Sequence, residues 1–167
     1  MNSKQLKWVY LVILAFVWGS WFMLIKRGLV GLNPMQLGSL RIIFAAFFLL
    51  LIGFKNLSKI PLHQWKYIAL TATLGTFIPA FLFSIAQTQI DSSVSAILNS
   101  LTPLNTMILG VLAFGLSFKR TQVIGVLVGL IGTFLLIING AIHHPERNYY
   151  YAILVIIASI CYATNVN

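Results

Sequence analysis

The sequence has few charged residues and almost no acidic ones. Of its 167 residues, 8% are charged, and Asp91 and Glu146 are its two acids, whereas a soluble domain carries about a quarter charged residues. With 59% hydrophobic residues and a mean hydropathy of +0.94, the composition excludes an ordinary soluble domain. It predicts an integral membrane protein, with the lipid bilayer as a partner.

Cysteine and histidine are also scarce. Cys161 is the single cysteine, which excludes an internal disulfide. The three histidines fall in predicted links between apolar runs, so no catalytic or metal-ligand set is expected at membrane depth. His143, His144 and Glu146 resemble a metal cluster, but adjacent histidines in a proline-bearing loop converge poorly on one ion. We therefore predict no enzyme activity, no metal and no cofactor.

The basic residues outnumber the acids and give a net charge of +9. They occur singly or in pairs between apolar runs, so nucleic acid is not a predicted partner, and they act as topology signals instead. With a cytoplasmic N-terminus, the inner side holds Lys4, Lys7, Lys55, Lys59, Lys66, Lys119 and Arg120, and the outer side holds Lys26, Arg27 and Arg147 with both acids. The Lys26-Arg27 pair argues mildly against this orientation. The balance nevertheless predicts a multi-pass protein of the cell (inner or plasma) membrane with its N-terminus in the cytoplasm.

Six apolar runs reach about 20 residues, the length that crosses the hydrocarbon core of a bilayer. They extend over Trp8–Ile25, Met35–Phe54, Tyr67–Gln87, Val94–Phe114, Gln122–Asn139 and from Tyr150 to the end. Asn33 before Pro34, and Asp91 before two serines, are predicted helix N-caps. The predicted fold class is all-α: a polytopic α-helical membrane protein with about six transmembrane helices.

The fourth run contains a polar stripe. At the helical step of about 100° per residue, Ser95, Asn99, Thr102 and Thr106 fall within roughly 60° of one another, and Pro103 lies among them. In membranes such side chains often bond across helices or to their own backbone. The alternative is that they line a substrate cavity, and both interpretations are open for this run taken alone.

The third run has a matching stripe, which favours the cavity. Thr73, Thr76, Ser84 and Gln87 fall within about 80° on the helical wheel, with Pro79 between them. A proline frees a backbone carbonyl, which is tolerated where the helix lines a cavity. Two neighbouring runs with these features suggest a shared seam that faces the substrate.

Trp18, Trp21 and Arg41 are further cavity candidates. The two tryptophans lie on one face of the first helix, where they form either an aromatic wall for a solute or part of an interfacial belt. Arg41 is the one charge well inside a run, either a functional residue or a side chain that snorkels to the headgroups. No acid lies in a run to pair with it, and a carboxylate substrate or a backbone carbonyl could take that place.

Glycines mark one face of the fifth run. Gly125, Gly129 and Gly132 form a Gly-x-x-x-Gly pattern, which lets helix backbones approach closely. We therefore predict a helix-packing role for them. In a half-sized transporter the same face could form a dimer contact.

The last run echoes the first. Tyr151–Val166 can be aligned with Trp8–Met23, and the matching residues are Val155, Ile156 and Ala158 with Val12, Ile13 and Ala15. Because one repeat would contain five helices, an odd number, the sixth run is antiparallel to the first, as in an inverted repeat. We predict a first five-helix repeat over residues 1–140 and the first helix of a second, truncated repeat over residues 148–167.

The order of the motifs resembles the EamA-like family of the drug/metabolite transporter superfamily. The segments that carry the resemblance are WGSWFMLIKR, NPMQLGSLRIIFAA, SAILNSLTPLNTMILGVLAFG and QVIGVLVGLIGTFLLI. Within them Pro34, Arg41, Pro103 and Gln122 stand at the positions of the family's proline, arginine, second proline and glutamine. One departure is Leu116, which stands where the family usually has a glutamate.

The resemblance implies a transporter. Members of this family have ten helices in two inverted repeats around a central cavity used in alternating access, and their exporters handle amino acids, other metabolites and drugs. The expected function is therefore export of a small metabolite or drug-like solute, and the expected partners are that solute and a second repeat or a second copy of the chain. The alternative is a truncated, non-transporting membrane scaffold that needs a partner chain to form a cavity.

Overall fold

The computed structural model describes residues 3–57, 59–115, 120–144 and 146–167, and helices account for nearly all of them. No strand occurs among these residues. They contain six segments that are long and apolar enough to cross a membrane: Gln5–Gly28, Pro34–Leu57, Leu62–Ala86, Ser92–Ala113, Arg120–Gly140 and Tyr149–Val166. The predicted all-α, six-span architecture is confirmed.

The spans are built from eight α-helices. Their bounds are α1 Ser3–Gly28, α2 Pro34–Leu57, α3 Trp65–Ala72, α4 Ile78–Ala86, α5 Ser92–Asn99, α6 Thr102–Phe114, α7 Arg120–His143 and α8 Ala152–Val166. Short 3₁₀ turns, Leu62–Gln64 and Tyr149–Tyr151, open the third and sixth spans. The third span is divided by a π-helical turn, Thr73–Phe77, between α3 and α4.

Both divided spans contain a proline at the division. Pro79 lacks an N–H, and its ring would collide with the carbonyl of Gly75 in a regular α-helix, which the wider π turn avoids. In the fourth span Pro103 lies in the first turn of α6, after the break between α5 and α6. The hydroxyl of Thr102 donates to the carbonyl of Asn99 over 2.7 Å and so satisfies an acceptor at this break.

The predicted caps have different outcomes. Asn33 Oδ1 accepts a hydrogen bond of 2.8 Å from the Gln36 N–H, and Gln36 Oε1 accepts one of 3.1 Å from the Asn33 N–H. This reciprocal pair confirms the cap before Pro34. Asp91 occupies the N-cap position of α5, but its side chain makes no capping bond. The expected side-chain cap is wrong there, because the carboxylate is in an ion pair with Arg147 instead.

The sixth span lies at the centre of the bundle. α8 packs against α4, α5, α6 and the π turn, while α2 packs on α4 and α1 packs on α5. The buried residues of α8 are mostly small: Ala152, Val155, Ala158, Ser159 and Ala163. Small side chains let helix backbones approach closely in a membrane. The interior that both polar stripes were expected to face is therefore occupied in part by α8.

Candidate functional site

The most deeply buried polar side chains lie near one end of the bundle. This end, where α1 and α4 finish and α5 and α8 begin, is called the Lys26 end. Ser84, Gln87 and Ser95 are each 0% exposed. Ser84 Oγ donates to the carbonyl of Ala80 in its own helix over 2.8 Å. Three residues of the two predicted stripes are thus enclosed within the bundle.

Gln87 and Ser95 are enclosed without hydrogen-bond partners. Among the described residues, nothing bonds to the Oε1 and Nε2 atoms of Gln87 or to the Oγ atom of Ser95. A buried polar group left in this state costs about 1–3 kcal/mol, and native structures contain few of them without a functional reason. The polar atoms of these two side chains are therefore unsatisfied among the described residues.

Thr73 and Thr76 do not share the surface of Ser84 and Gln87. Both threonines are exposed, and Thr73 Oγ1 donates to the carbonyl of Ala69 over 2.7 Å. The π turn adds a residue to one turn, which rotates the preceding residues by about 100° relative to a regular helix. The helical wheel assumed a continuous α-helix and does not describe this span, and a cavity role for Thr73 and Thr76 stays a prediction.

Three residues of the stripe in the fourth span are half-buried, and their hydrogen bonds are largely to the backbone of the same span. Asn99, Thr102 and Thr106 are each half-buried. Thr106 Oγ1 donates to the carbonyl of Thr102 over 2.9 Å. Bonding to the helix's own backbone is one of the two interpretations that the sequence leaves open. Donation to a carbonyl nevertheless leaves the hydroxyl oxygen of each threonine able to accept a bond from a ligand.

Polar bonds between helices come from neighbouring residues. Asn105 Nδ2 donates to Ser159 Oγ over 2.6 Å, which joins α6 to α8. Asn167 Nδ2 donates to the carbonyl of Thr106 over 3.0 Å. The fourth and sixth spans are therefore joined by polar contacts as well as by packing.

An aromatic cluster joins the first, third and sixth spans. It consists of Trp21, Phe22, Phe83 and Tyr162. The ring centroids of Trp21 and Phe22 are 5.6 Å apart, and Phe83 lies 5.9 Å from Trp21. Phe83 also stacks on Tyr162, with 6.1 Å between centroids. Each such pair stabilises the fold by about 0.5–1.5 kcal/mol beyond the effect of its buried area. The cluster therefore stabilises the packing of the three spans.

Arg41 of α2 stands on this cluster. Its guanidinium carbon is 4.9 Å from the centre of the Trp21 ring, within the range of a cation–π interaction. Nη1 donates to the carbonyl of Ala80 over 3.3 Å. The side chain is half-buried and contacts Trp21 and Ala80 within the bundle, and a substrate-binding role for Arg41 stays a prediction.

Trp18 is separate from the cluster. Its side chain is 62% exposed, whereas Trp21 is half-buried. The two predicted aromatic residues therefore differ in their surroundings, and a cavity role for Trp18 stays a prediction.

Charged residues join the helix ends at the Lys26 end. Lys26 Nζ donates to the carbonyls of Gln87 and Ile90 over 2.7 and 3.1 Å. Arg147 forms an ion pair with Asp91, which joins the link before α8 to the start of α5. The hydrogen bond to Asp91 raises the pKa of the Arg147 guanidinium above its ordinary value. These contacts tie the ends of four spans together next to Gln87.

The glycine face of α7 lies along a groove. Gly125, Gly129 and Gly132 share with Leu101 and Met107 the wall of a groove of about 490 Å³ between α7 and the fourth span. A Cβ atom at Gly125 or Gly132 would meet nothing within 4 Å. The close helix approach expected of this face stays a prediction.

Two sequence features carry no site in the described residues. His144 Nδ1 lies 3.3 Å from Glu146 Oε1, but no three His, Cys, Asp or Glu side chains in the described ranges gather as metal ligands would. Leu116 lies outside the described residues.

Sequence reasoning missed Phe83, Tyr162 and Ser159 as site residues. Phe83 looked like any apolar residue of a span. Tyr162 and Ser159 had a weak signal, because a phenol and a hydroxyl inside an apolar run need polar partners. Asn105 lies just outside the stripe on the helical wheel and had the same signal.

Comparison with known proteins identifies the family. Residues 6–138 match the model of the EamA-like transporter family. The chain is 31% identical over 126 residues to a probable amino-acid metabolite efflux pump of Salmonella typhimurium, covering 75% of this chain and 41% of that protein. It is 27% identical over 169 residues to the inner membrane transporter YedA of Escherichia coli K12, covering 98% of this chain and 53% of that protein.

These relatives are longer than the chain. A probable amino-acid metabolite efflux pump of Escherichia coli K12 is 29% identical over 129 residues, with 77% of this chain and 42% of that protein covered. The chain thus spans about half the length of the curated relatives it matches. No solved structure matches it.

Proposed function

The chain belongs to the EamA-like transporter family, and we propose on this basis that it exports small metabolites, such as amino acids or drug-like solutes, by alternating access. It is a multi-pass membrane protein with six described spans. The probable amino-acid efflux pumps among its relatives support the solute class. Binding of a solute, rather than chemistry on it, is the role assigned to the polar and aromatic groups.

Gln87 and Ser95 carry the proposal. Both are fully buried and have no hydrogen-bond partner in the described part of the chain. A protein that needed only stability would replace them with apolar residues, because an unpaired buried polar group destabilises the fold. A transporter needs these side chains when the third and fourth spans separate and a solute or water enters between them.

The contacts of Lys26 and Arg147 make this conformation closed at the Lys26 end. In our mechanism the helix groups rock about the seam, and these contacts break when that end opens. Solute is then held by the cavity candidates: Trp18, Trp21, Arg41, Thr73, Thr76, Ser84, Gln87, Ser95, Asn99, Thr102 and Thr106. We further propose that residues 1–140 are one repeat, that residues 148–167 begin a second, and that a second repeat or a second copy completes the cavity.

Solute flux in proteoliposomes tests the proposal. The full chain is reconstituted and assayed with a panel of apolar amino acids and amphipathic cations. We expect flux of some panel members, and a reduction of at least about tenfold in Asn99→Leu/Thr102→Val and in Gln87→Leu, because solute contacts worth about 1.4 kcal/mol or more are lost. Gln87→Leu should at the same time make the protein more stable by about 1–3 kcal/mol.

Thr164→Val is the matched control. The Thr164 hydroxyl also bonds to its own helix, to Ile160 O over 2.9 Å, but its side chain is exposed. It should change neither flux nor stability appreciably. Absence of flux for the whole panel, with a folded protein, would favour the non-transporting scaffold. Equal flux in the wild type, in Asn99→Leu/Thr102→Val and in Gln87→Leu would reject the assignment of these residues to the cavity.

A further inference from the structure

Arg41 places a positive charge within a span, and no acidic side chain lies within any described span to balance it. The two acids of the sequence, Asp91 and Glu146, lie in links outside the spans. Both are close to Arg147: Asp91 is in an ion pair with it, and Glu146 Oε1 lies 3.8 Å from its Nε atom. Among the described residues, Arg41 therefore has no side-chain carboxylate as a partner.

Most of the hydrogen-bonding capacity of Arg41 is unused. A guanidinium carries five N–H donors, and in the described part of the chain one of them is bonded, to the carbonyl of Ala80 over 3.3 Å. That distance is longer than the upper limit of about 3.2 Å for a typical bond. The same carbonyl already accepts a shorter bond of 2.8 Å from Ser84 Oγ. The side chain is half-buried, which leaves it accessible to a small ligand.

The aromatic cluster orients the guanidinium. The contact of 4.9 Å holds it over the Trp21 ring, which is itself packed on Phe83 at 5.9 Å. The cation–π contact uses none of the N–H donors as hydrogen bonds, and these donors form the planar fork that matches a carboxylate. The rings next to the fork offer an apolar surface to the rest of a ligand.

We propose that Arg41 binds the carboxylate of the transported solute, while the aromatic cluster contacts the solute's apolar part. This inference rests on the proposed function and narrows its solute class. Amphipathic cations are disfavoured, because a like charge at a partly dehydrated site is repelled more strongly than in water. A phosphate dianion lacks a second cation, because the Lys26 ammonium is bonded to the carbonyls of Gln87 and Ile90. Monocarboxylates with an apolar part are the class selected.

Arginine-detected NMR tests the binding without requiring transport. The full chain is labelled with ¹⁵N-arginine and placed in nanodiscs of phosphatidylcholine only. The Arg41 Nε–H signal is identified by its loss in Arg41→Lys. It is then followed during titration with 4-methylpentanoate and with the neutral, equally shaped 4-methylpentanamide. We expect saturable shifts with the carboxylate and at least about tenfold weaker binding of the amide, because removing one partner of a bidentate charge pair is costly.

Two variants provide the controls. Arg27→Lys removes the signal of an exposed arginine at the end of α1, and the Arg41 titration should be unchanged in it. In Arg41→Lys the charge remains but the planar fork is lost. The dissociation constant of 4-methylpentanoate, measured from the change in tryptophan fluorescence during titration of the wild type and of the variant, should therefore rise by about tenfold. Both substitutions keep the positive charge. The comparison of carboxylate with amide needs the wild-type protein alone.

The remaining outcomes either overturn the inference or separate it from the proposed function. Equal affinity for carboxylate and amide means that Arg41 does not recognise the charge. A shift of the Arg41 signal on adding phosphatidylglycerol, with none from 4-methylpentanoate, assigns the site to a lipid headgroup. If the carboxylate binds as expected and no solute moves in proteoliposomes, the proposed transport fails while the site stands. If solutes move but the Arg41 signal is insensitive to carboxylate, the transport stands and the site fails.

Discussion

The ammonium group of Lys26 donates a hydrogen bond of 2.7 Å to the backbone carbonyl of Gln87. A second bond of 3.1 Å reaches the carbonyl of Ile90. The carbonyls at the end of a helix lack partners within that helix, and a cation there also interacts favourably with the helix dipole. Lys26 of the first span thus caps the end of the third span and fixes the relative position of the two ends. In the sequence, the Lys26-Arg27 pair is interpreted only as a topology signal.

Replacing Lys26 by methionine tests this cap. Lys26→Met keeps the length of the side chain and removes the charge and both hydrogen bonds. We expect the free energy of unfolding to fall by about 1–2 kcal/mol, the lower part of the range for bonds to charged groups, because Lys26 is partly exposed. The measurement is unfolding by sodium dodecyl sulfate in mixed micelles, followed by circular dichroism. Arg27→Met, at an exposed position next along the chain, should change the stability little, and equal losses in the two variants would contradict the cap.

The Asp91–Arg147 pair should contribute modestly. Its side chains are 34% and 29% exposed, so the pair belongs with surface salt bridges, which are worth about 0–1 kcal/mol. A double-mutant cycle of Asp91→Asn and Arg147→Gln in the same unfolding assay should give a coupling energy of about 0.5–1 kcal/mol. Glu146, 3.8 Å from Arg147 Nε, is the comparison: a cycle of Glu146→Gln with Arg147→Gln should give less. A larger coupling for Glu146 than for Asp91 would refute the assignment.

The spans and several of their ends could be predicted because they depend on local sequence. Runs of about 20 apolar residues identify membrane spans, and Asn33 with Pro34 identifies the start of α2 through chemistry that involves neighbouring residues alone. The breaks near Pro79 and Pro103 follow from the missing N–H groups of the prolines. These features need no knowledge of what packs against them.

The arrangement around the site could not be predicted, because it depends on contacts between distant spans. A helical wheel assigns Thr73 and Gln87 to one face, but the π turn between them rotates that face. Nothing in the sequence shows that α8 packs among the third and fourth spans or that Arg41 lies over the Trp21 ring. Apolar residues such as Phe83 look alike in a membrane protein whether they face lipid or line a site.

Gly38 should tolerate alanine poorly. A Cβ atom there would lie 2.6 Å from Cδ1 of Phe81, whose ring packs edge-on against Phe77 at 5.0 Å between centroids. The ring or the backbone of α2 must therefore shift, and such overpacking typically costs about 1–3 kcal/mol. Gly53 of the same helix is the control, because a Cβ atom there would meet nothing within 4 Å. We expect Gly38→Ala to lower the stability by about 1–3 kcal/mol, and Gly53→Ala to leave it unchanged or raise it by up to about 1 kcal/mol. Equal responses would mean that α2 and α4 are packed less closely than the structure shows.

The orientation in the membrane decides which side of the cell the closed Lys26 end faces. We expect a cytoplasmic N-terminus from the distribution of basic residues, and the Lys26 end would then face outward. Single cysteines at Arg27 and Lys55 test this in a Cys161→Ser background, which removes the one natural cysteine. In intact cells a membrane-impermeant maleimide should label Arg27→Cys and should label Lys55→Cys only after the membrane is permeabilised. Labelling of Lys55→Cys alone in intact cells would reverse the orientation. The Lys26 end would then face the cytoplasm, and under the proposed mechanism the contacts of Lys26 and Arg147 would have to break before a cytoplasmic solute could enter.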